Sequence, residues 1–81
     1  MPRKPRSAPV DPRLLFGRRL AELRKARQWS QEKLALESGL ARSYVGGVER
    51  GQRNIALVNI CRLAETLEIE AGELFCFAHL A

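Results

Sequence analysis

Arg42, Ser43 and Arg50 frame the stretch "RSYVGGVER", in which Gly46 and Gly47 stand side by side. The chemistry on offer is hydrogen-bond donation and positive charge, which suits a polyanion or acceptor-rich base edges. Two interior glycines cost a helix about 0.8–1 kcal/mol each relative to alanine, so a helix here gives up roughly 2 kcal/mol. A face without side chains at two positions lets another surface come very close. A neutral accident, or relief of crowding, is the competing explanation.

Catalytic chemistry finds no comparable support. The chain has no glycine-rich phosphate loop, no zinc-binding helix motif and no nucleophile with a base and an orienting acid nearby. Cys61 and Cys76 fit neither CxxC nor a zinc-ligand spacing, and His79 is the single histidine. The expectation is free thiols packed as small hydrophobes, a solvated His79, and no metal or cofactor.

The elements that must position the donors are short and helical. All four prolines fall within the first twelve residues, where Arg3, Lys4 and Arg6 make an extended basic arm. Asp11 as cap and Pro12 at the first helical position open a first helix, with Phe16, Leu20 and Leu23 forming its apolar stripe. Trp29 falls at the junction with a second helix, as a core residue. Ser30 caps that helix over "QEKLALES", and Gly39 ends it. A third helix runs from Arg42 to Arg50 and stops at Gly51. A fourth shares one face among Leu57, Ile60, Ala64 and Leu67, and a short fifth turn or helix spans about Ala71 to Phe77. No period-2 alternation occurs, so the fold class is all-α: five short helices, with a basic arm over 1–11, a domain over 12–78 and a tail over 79–81.

At 81 residues there is room for one small core, and 46% hydrophobic with 28% charged residues is an ordinary globular composition. No apolar run approaches the roughly 20 residues of a membrane span, and no apolar segment follows the N-terminal basic residues, so a cytoplasmic location is expected. The net charge of +5 is uneven: residues 1–12 carry +2, residues 13–53 carry +6, and residues 54–81 carry −3. A basic front and an acidic back point the front at a polyanion.

Two short helices joined by a glycine-containing turn, residues 31–38 and 42–50 around Gly39, have the form of a helix-turn-helix. The third helix would be about 13 Å long, comparable with a major groove about 12 Å wide. At 100° per residue, Arg42, Ser43, Gly46, Gly47 and Arg50 share one arc of about 140°, and Val45 and Val48 face the other way.

On these residues, "SQEKLALESGLARSYVGGVERGQRN" followed by "LVNICRLAETLEIEAGELF" resembles the phage repressor and Cro type of helix-turn-helix regulator (XRE family) over about residues 13–76. The "YVGGVERGQRN" portion is most similar to restriction–modification controller proteins. The resemblance implies a five-helix, lambda-repressor-like domain that binds operator DNA as a two-fold dimer with the third helix in the major groove. It implies base contacts from Arg42, Ser43, Gly46 and Gly47. Phosphate contacts would come from Gln31, Tyr44, Arg50, Gln52, Arg53 and Asn54. Arg24 and Glu49 would form a structural salt bridge between the first and third helices. Ala41 stands where a capping side chain is common, and Ile55 and Ala56 replace a usual Pro-Thr/Ser helix opening.

Apolar residues beyond one core stripe, namely Val58, Leu74, Phe75, Phe77 and Leu80, point to a dimer face. Val58, Leu74, Phe75 and Phe77 are the candidates for the interface itself. Two functions remain open at this point. One is a homodimeric transcription regulator on a pseudo-palindromic operator. The other is an antitoxin-like protein-binding module on the same fold.

Overall fold

The computed structural model describes residues 10–81, so Arg3, Lys4 and Arg6 of the arm lie outside the described residues. The described chain forms four α-helices: α1 (Pro12–Ala26), α2 (Gln31–Ser38), α3 (Arg42–Glu49) and α4 (Leu57–Leu67). Two 3-10 segments follow, Ala71–Phe75 and Ala78–Leu80, and the first stands where the fifth helix was expected. Among the described residues there are no strands.

Each boundary has a local cause. The Asp11 carboxylate accepts from the Arg13 amide at 2.9 Å, and Pro12 fits the first helical position, where its missing N–H costs nothing. Ser30 Oγ accepts from the Lys33 amide at 3.0 Å to open α2. Gly39, at φ 78°, closes α2 in the left-handed conformation. Neither α3 nor α4 has a side-chain cap, because Ala41 and Ala56 carry no acceptor. The left-handed turn after α4 falls on Glu68, at φ 58°, a conformation that costs a non-glycine residue about 1–3 kcal/mol. Arg27 steadies it by donating to Leu67 O at 2.9 Å and to the Glu68 carboxylate at 3.2 Å.

Leu20 of α1, Leu34 of α2, Val45 and Val48 of α3, Leu63 and Leu67 of α4, and Leu74 make the fully buried centre. The α4 stripe differs from the one expected. It comprises Ile60, Leu63, Ala64 and Leu67, whereas Leu57 is 73% exposed because the first turn of α4 projects past the core. Cys61 and Cys76 are free thiols, but both are exposed rather than packed: Cys61 is out of phase with the buried positions of α4, and Cys76 ends a 3-10 segment.

The tightest contact in the fold joins α1 to the end of α3. A Cβ on Gly17 would stand 2.6 Å from the Glu49 carbonyl oxygen and closer still to that of Val48, so the two backbones meet directly. Gly51, at φ 76°, continues the contact against the backbone of Leu14. Two turns along α1, Arg24 donates from Nε to Glu49 Oε2 at 2.7 Å, from Nη2 to Oε1 at 2.9 Å, and from Nη1 to Trp29 O at 2.7 Å. The expected salt bridge therefore exists and is bidentate. It is also nearly buried, with side chains 10% and 6% exposed, and the adjoining carboxylate holds the Arg24 guanidinium above its ordinary pKa. Trp29 packs partly buried at the α1–α2 junction, with Arg27 across its face at 4.5 Å.

Gly17→Ala separates two effects of opposite sign. Helix propensity alone would stabilise by about 1 kcal/mol, whereas the clash with two carbonyl groups should destabilise by about 2–3 kcal/mol. A urea midpoint that rises in the variant would refute the close crossing. Glu49→Ala leaves the Arg24 charge without its partner and should cost about 3 kcal/mol in the same measurement.

Candidate nucleic-acid interface

The α1–α3 lock sets which side of α3 faces out. Val45 and Val48 are inside, and Arg42 and Ser43 are exposed on the other side. Gly46 and Gly47 are on the outward arc as expected, yet neither is bare. Both are covered by arginine side chains that lie across the helix. The point where a Cβ on Gly46 would stand is 3.0 Å from Arg50 Nη1, 3.2 Å from Arg42 Nη1 and 3.5 Å from Gln31 Oε1. Over Gly47 lies the Arg53 side chain, with Cγ at 3.1 Å and Nε at 3.2 Å. The absent side chains are thus replaced by cations from the first residue of α3, from its C-cap and from the loop beyond.

The loop is shaped to deliver them. The Gln52 amide donates to Gly47 O at 2.8 Å, folding residues 51–53 back along α3. Arg50 Nε donates to Gln52 Oε1 at 3.1 Å, and the Arg53 guanidinium lies 5.5 Å over the Tyr44 ring. Tyr44 is itself anchored, its hydroxyl accepting from Asn59 Nδ2 at 3.1 Å. The structure therefore brings Arg42, Ser43, Arg50, Gln52 and Arg53 onto one surface.

The remaining expected contacts are placed differently. Gln31 is half-buried and donates from Nε2 to Glu49 Oε1 at 2.7 Å, which joins it to the Arg24–Glu49 pair. Asn54 turns toward the start of α1, lining a cavity of about 150 Å³ with Pro12, Phe16, Ile55, Ile60 and Phe75.

The expected apolar interface needs one correction. Leu74 has no exposed surface, because it fills the core between α1 and α4, and so it supports the face from beneath rather than touching a partner. Phe77 is half-buried against that core. Val58 is 70% exposed and Phe75 51%, and Leu57 joins them on the surface. Sequence reasoning missed Leu57 by placing it in the core stripe, and missed Gly17, whose signal was a glycine inside a long helical pattern.

The helix-turn-helix family model (HTH_3) matches residues 20–74. The control protein C.BamHI of Bacillus amyloliquefaciens is 41% identical over 66 residues, covering 80% of this chain and 82% of that protein. The crystal structure of the restriction–modification controller protein C.AhdI from Aeromonas hydrophila superposes with a TM-score of 0.77 at 65% identity, covering 78% of this chain and 96% of that one. The controller C.Esp1396I, solved as a tetramer in complex with its natural 35-base-pair operator, superposes with a TM-score of 0.74 at 25% identity, covering 83% of this chain and 88% of that one. With α2 and α3 forming the motif, the chain belongs to the helix-turn-helix family of transcriptional regulators, in its branch of restriction–modification control proteins.

Proposed function

We propose that this chain regulates transcription by binding a pseudo-palindromic operator as a homodimer, and that it controls a restriction–modification system. The observation that carries this reading is the convergence of the Arg42, Arg50 and Arg53 side chains on the outward face of α3. A cationic ridge on a helix about 12 Å long fits a major groove. The relative C.Esp1396I, solved as a tetramer in complex with its natural operator, supports operator binding by this chain.

In this reading Arg42 and Ser43 reach base edges, Arg42 pairing through two donors with a guanine. Gly46 and Gly47 form the floor over which the arginines approach the bases. Arg50, Gln52 and Arg53 follow the phosphates, joined by Tyr44 through its remaining hydroxyl hydrogen. The second copy docks across Leu57, Val58 and Phe75, with Phe77 at the margin. The DNA-binding unit runs over residues 12–78, acts in the cytoplasm and carries out no reaction of its own. No described helix is long and apolar enough to cross a membrane.

The deciding experiment is selection of bound fragments from a random duplex library at physiological salt, followed by sequencing. A symmetric motif with half-sites about one helical turn apart is expected. A library that yields no motif would favour a protein-binding module with a non-specifically basic face.

Two variants then divide the ridge. Arg42→Ala should cost about 1–3 kcal/mol at one base pair per half-site, whereas Arg53→Ala should weaken all sequences alike and flatten the salt dependence by about one unit of slope. Gly46→Ala should be tolerated by the fold, because the atoms nearest a new methyl group are the movable tips of Arg42 and Arg50. Thermal stability should rise by up to about 1 kcal/mol, while operator affinity falls because both guanidinium groups are displaced. Unchanged affinity would remove Gly46 from the interface.

A further inference from the structure

Gln31 opens α2 beside the interface, and its amide group is not free to rotate. Nε2 donates at 2.7 Å to Glu49 Oε1, and Glu49 is itself fixed by the two Arg24 hydrogen bonds. With the nitrogen directed inward, Oε1 faces Gly46, 3.5 Å from the point where a Cβ would stand there. The two guanidinium tips over the same point belong to Arg42 and Arg50. The floor at Gly46 therefore presents one fixed acceptor beside two donors, on the outward side of α3.

One N–H of Nε2 remains for a phosphate, but Oε1, which faces this floor, can only accept. In the major groove the groups that give a hydrogen bond to such an acceptor are exocyclic amino groups, N4 of cytosine or N6 of adenine. We infer that Gln31 is a specificity residue that reads an exocyclic amino group through Oε1, with Glu49 as the positioning residue that holds the amide in that orientation. The amino group belongs to the base pair whose guanine takes an arginine, as cytosine N4, or to the neighbouring pair, as adenine N6. This inference rests on the operator-binding reading and adds a base contact to the phosphate role expected of Gln31.

The test uses the full chain and the operator recovered by library selection, so a failure of operator binding shows itself earlier as a selection without a motif. Gln31→Met keeps the length and helix propensity of the side chain but removes the acceptor, and its thermal unfolding is measured alongside binding. Repeating the selection with this variant should weaken preference at one base pair per half-site by about five-fold, the worth of one ordinary hydrogen bond. Operators carrying a base analogue without the amino group at that position, purine for adenine or 2-pyrimidinone for cytosine, then identify the base. The correct analogue should weaken the native chain about five-fold and leave the Gln31→Met variant unaffected. A variant that loses affinity equally for all sequences would leave Gln31 a phosphate contact only and overturn the inference. Equal sensitivity of both proteins to the analogue would also overturn it.

Discussion

The backbone contact between α1 and α3 at Gly17 is the constraint from which the geometry of the outward face of α3 follows. It brings helix axes closer than side chains would permit, so α3 cannot roll without driving Gly17 into the carbonyl groups of Val48 and Glu49. Arg24 and Glu49 fix the same pair of helices by directed hydrogen bonds. One contact sets distance and the other sets rotation. A short helix with no side-chain cap, at Ala41, would not hold its orientation by propensity alone.

Glu49 links this lock to the surface. It takes Arg24 from within the fold and Gln31 from the edge of the interface, so a single carboxylate organises both the packing of α3 and the first residue of α2. Its near burial matters here, because a hydrogen bond shielded from water competes well against alternative rotamers. Buried ion pairs contribute modest net stability, and orientation is the better-attested reason to keep one.

Local chemistry explains what was legible in the sequence. The caps at Asp11 and Ser30, the turn at Gly39 and the helical spacing in α1 and α3 depend on neighbours within a few residues, and each stands where its residue type requires. The family resemblance located the Arg24–Glu49 pair, which no local rule would have placed across 25 residues. What stayed hidden was set by tertiary packing. Leu57 and Leu63 both fit an apolar α4 stripe, and only the position of the core along the helix decides that Leu63 is buried. Leu74 and Phe75 are adjacent and equally apolar, yet one is sealed and the other half-exposed because a 3-10 turn points them in different directions. Gly17 could not be separated from a tolerated helix glycine until its partner backbone was in place.

Charge shows the same difference between composition and placement. The basic excess of residues 13–53 suggested a continuous cationic front, but much of it is committed inside the chain. Arg13 pairs with its own helix cap, Arg18 donates to Leu80 O, Arg19 to Glu73 O and Glu22, and Arg27 to the end of α4. These arginines tie helix ends and the C-terminal 3-10 segments to α1, where carbonyl groups would otherwise lack partners. Arg42, Arg50 and Arg53 are the cations that gather around α3, while Lys25 belongs to α1 and Arg62 to α4. Gly46 and Gly47 make that grouping possible, since side chains there would push the arginines apart and outward. The helix gives up propensity at these two positions, and the arginines from its start, its end and its loop come to lie on one surface.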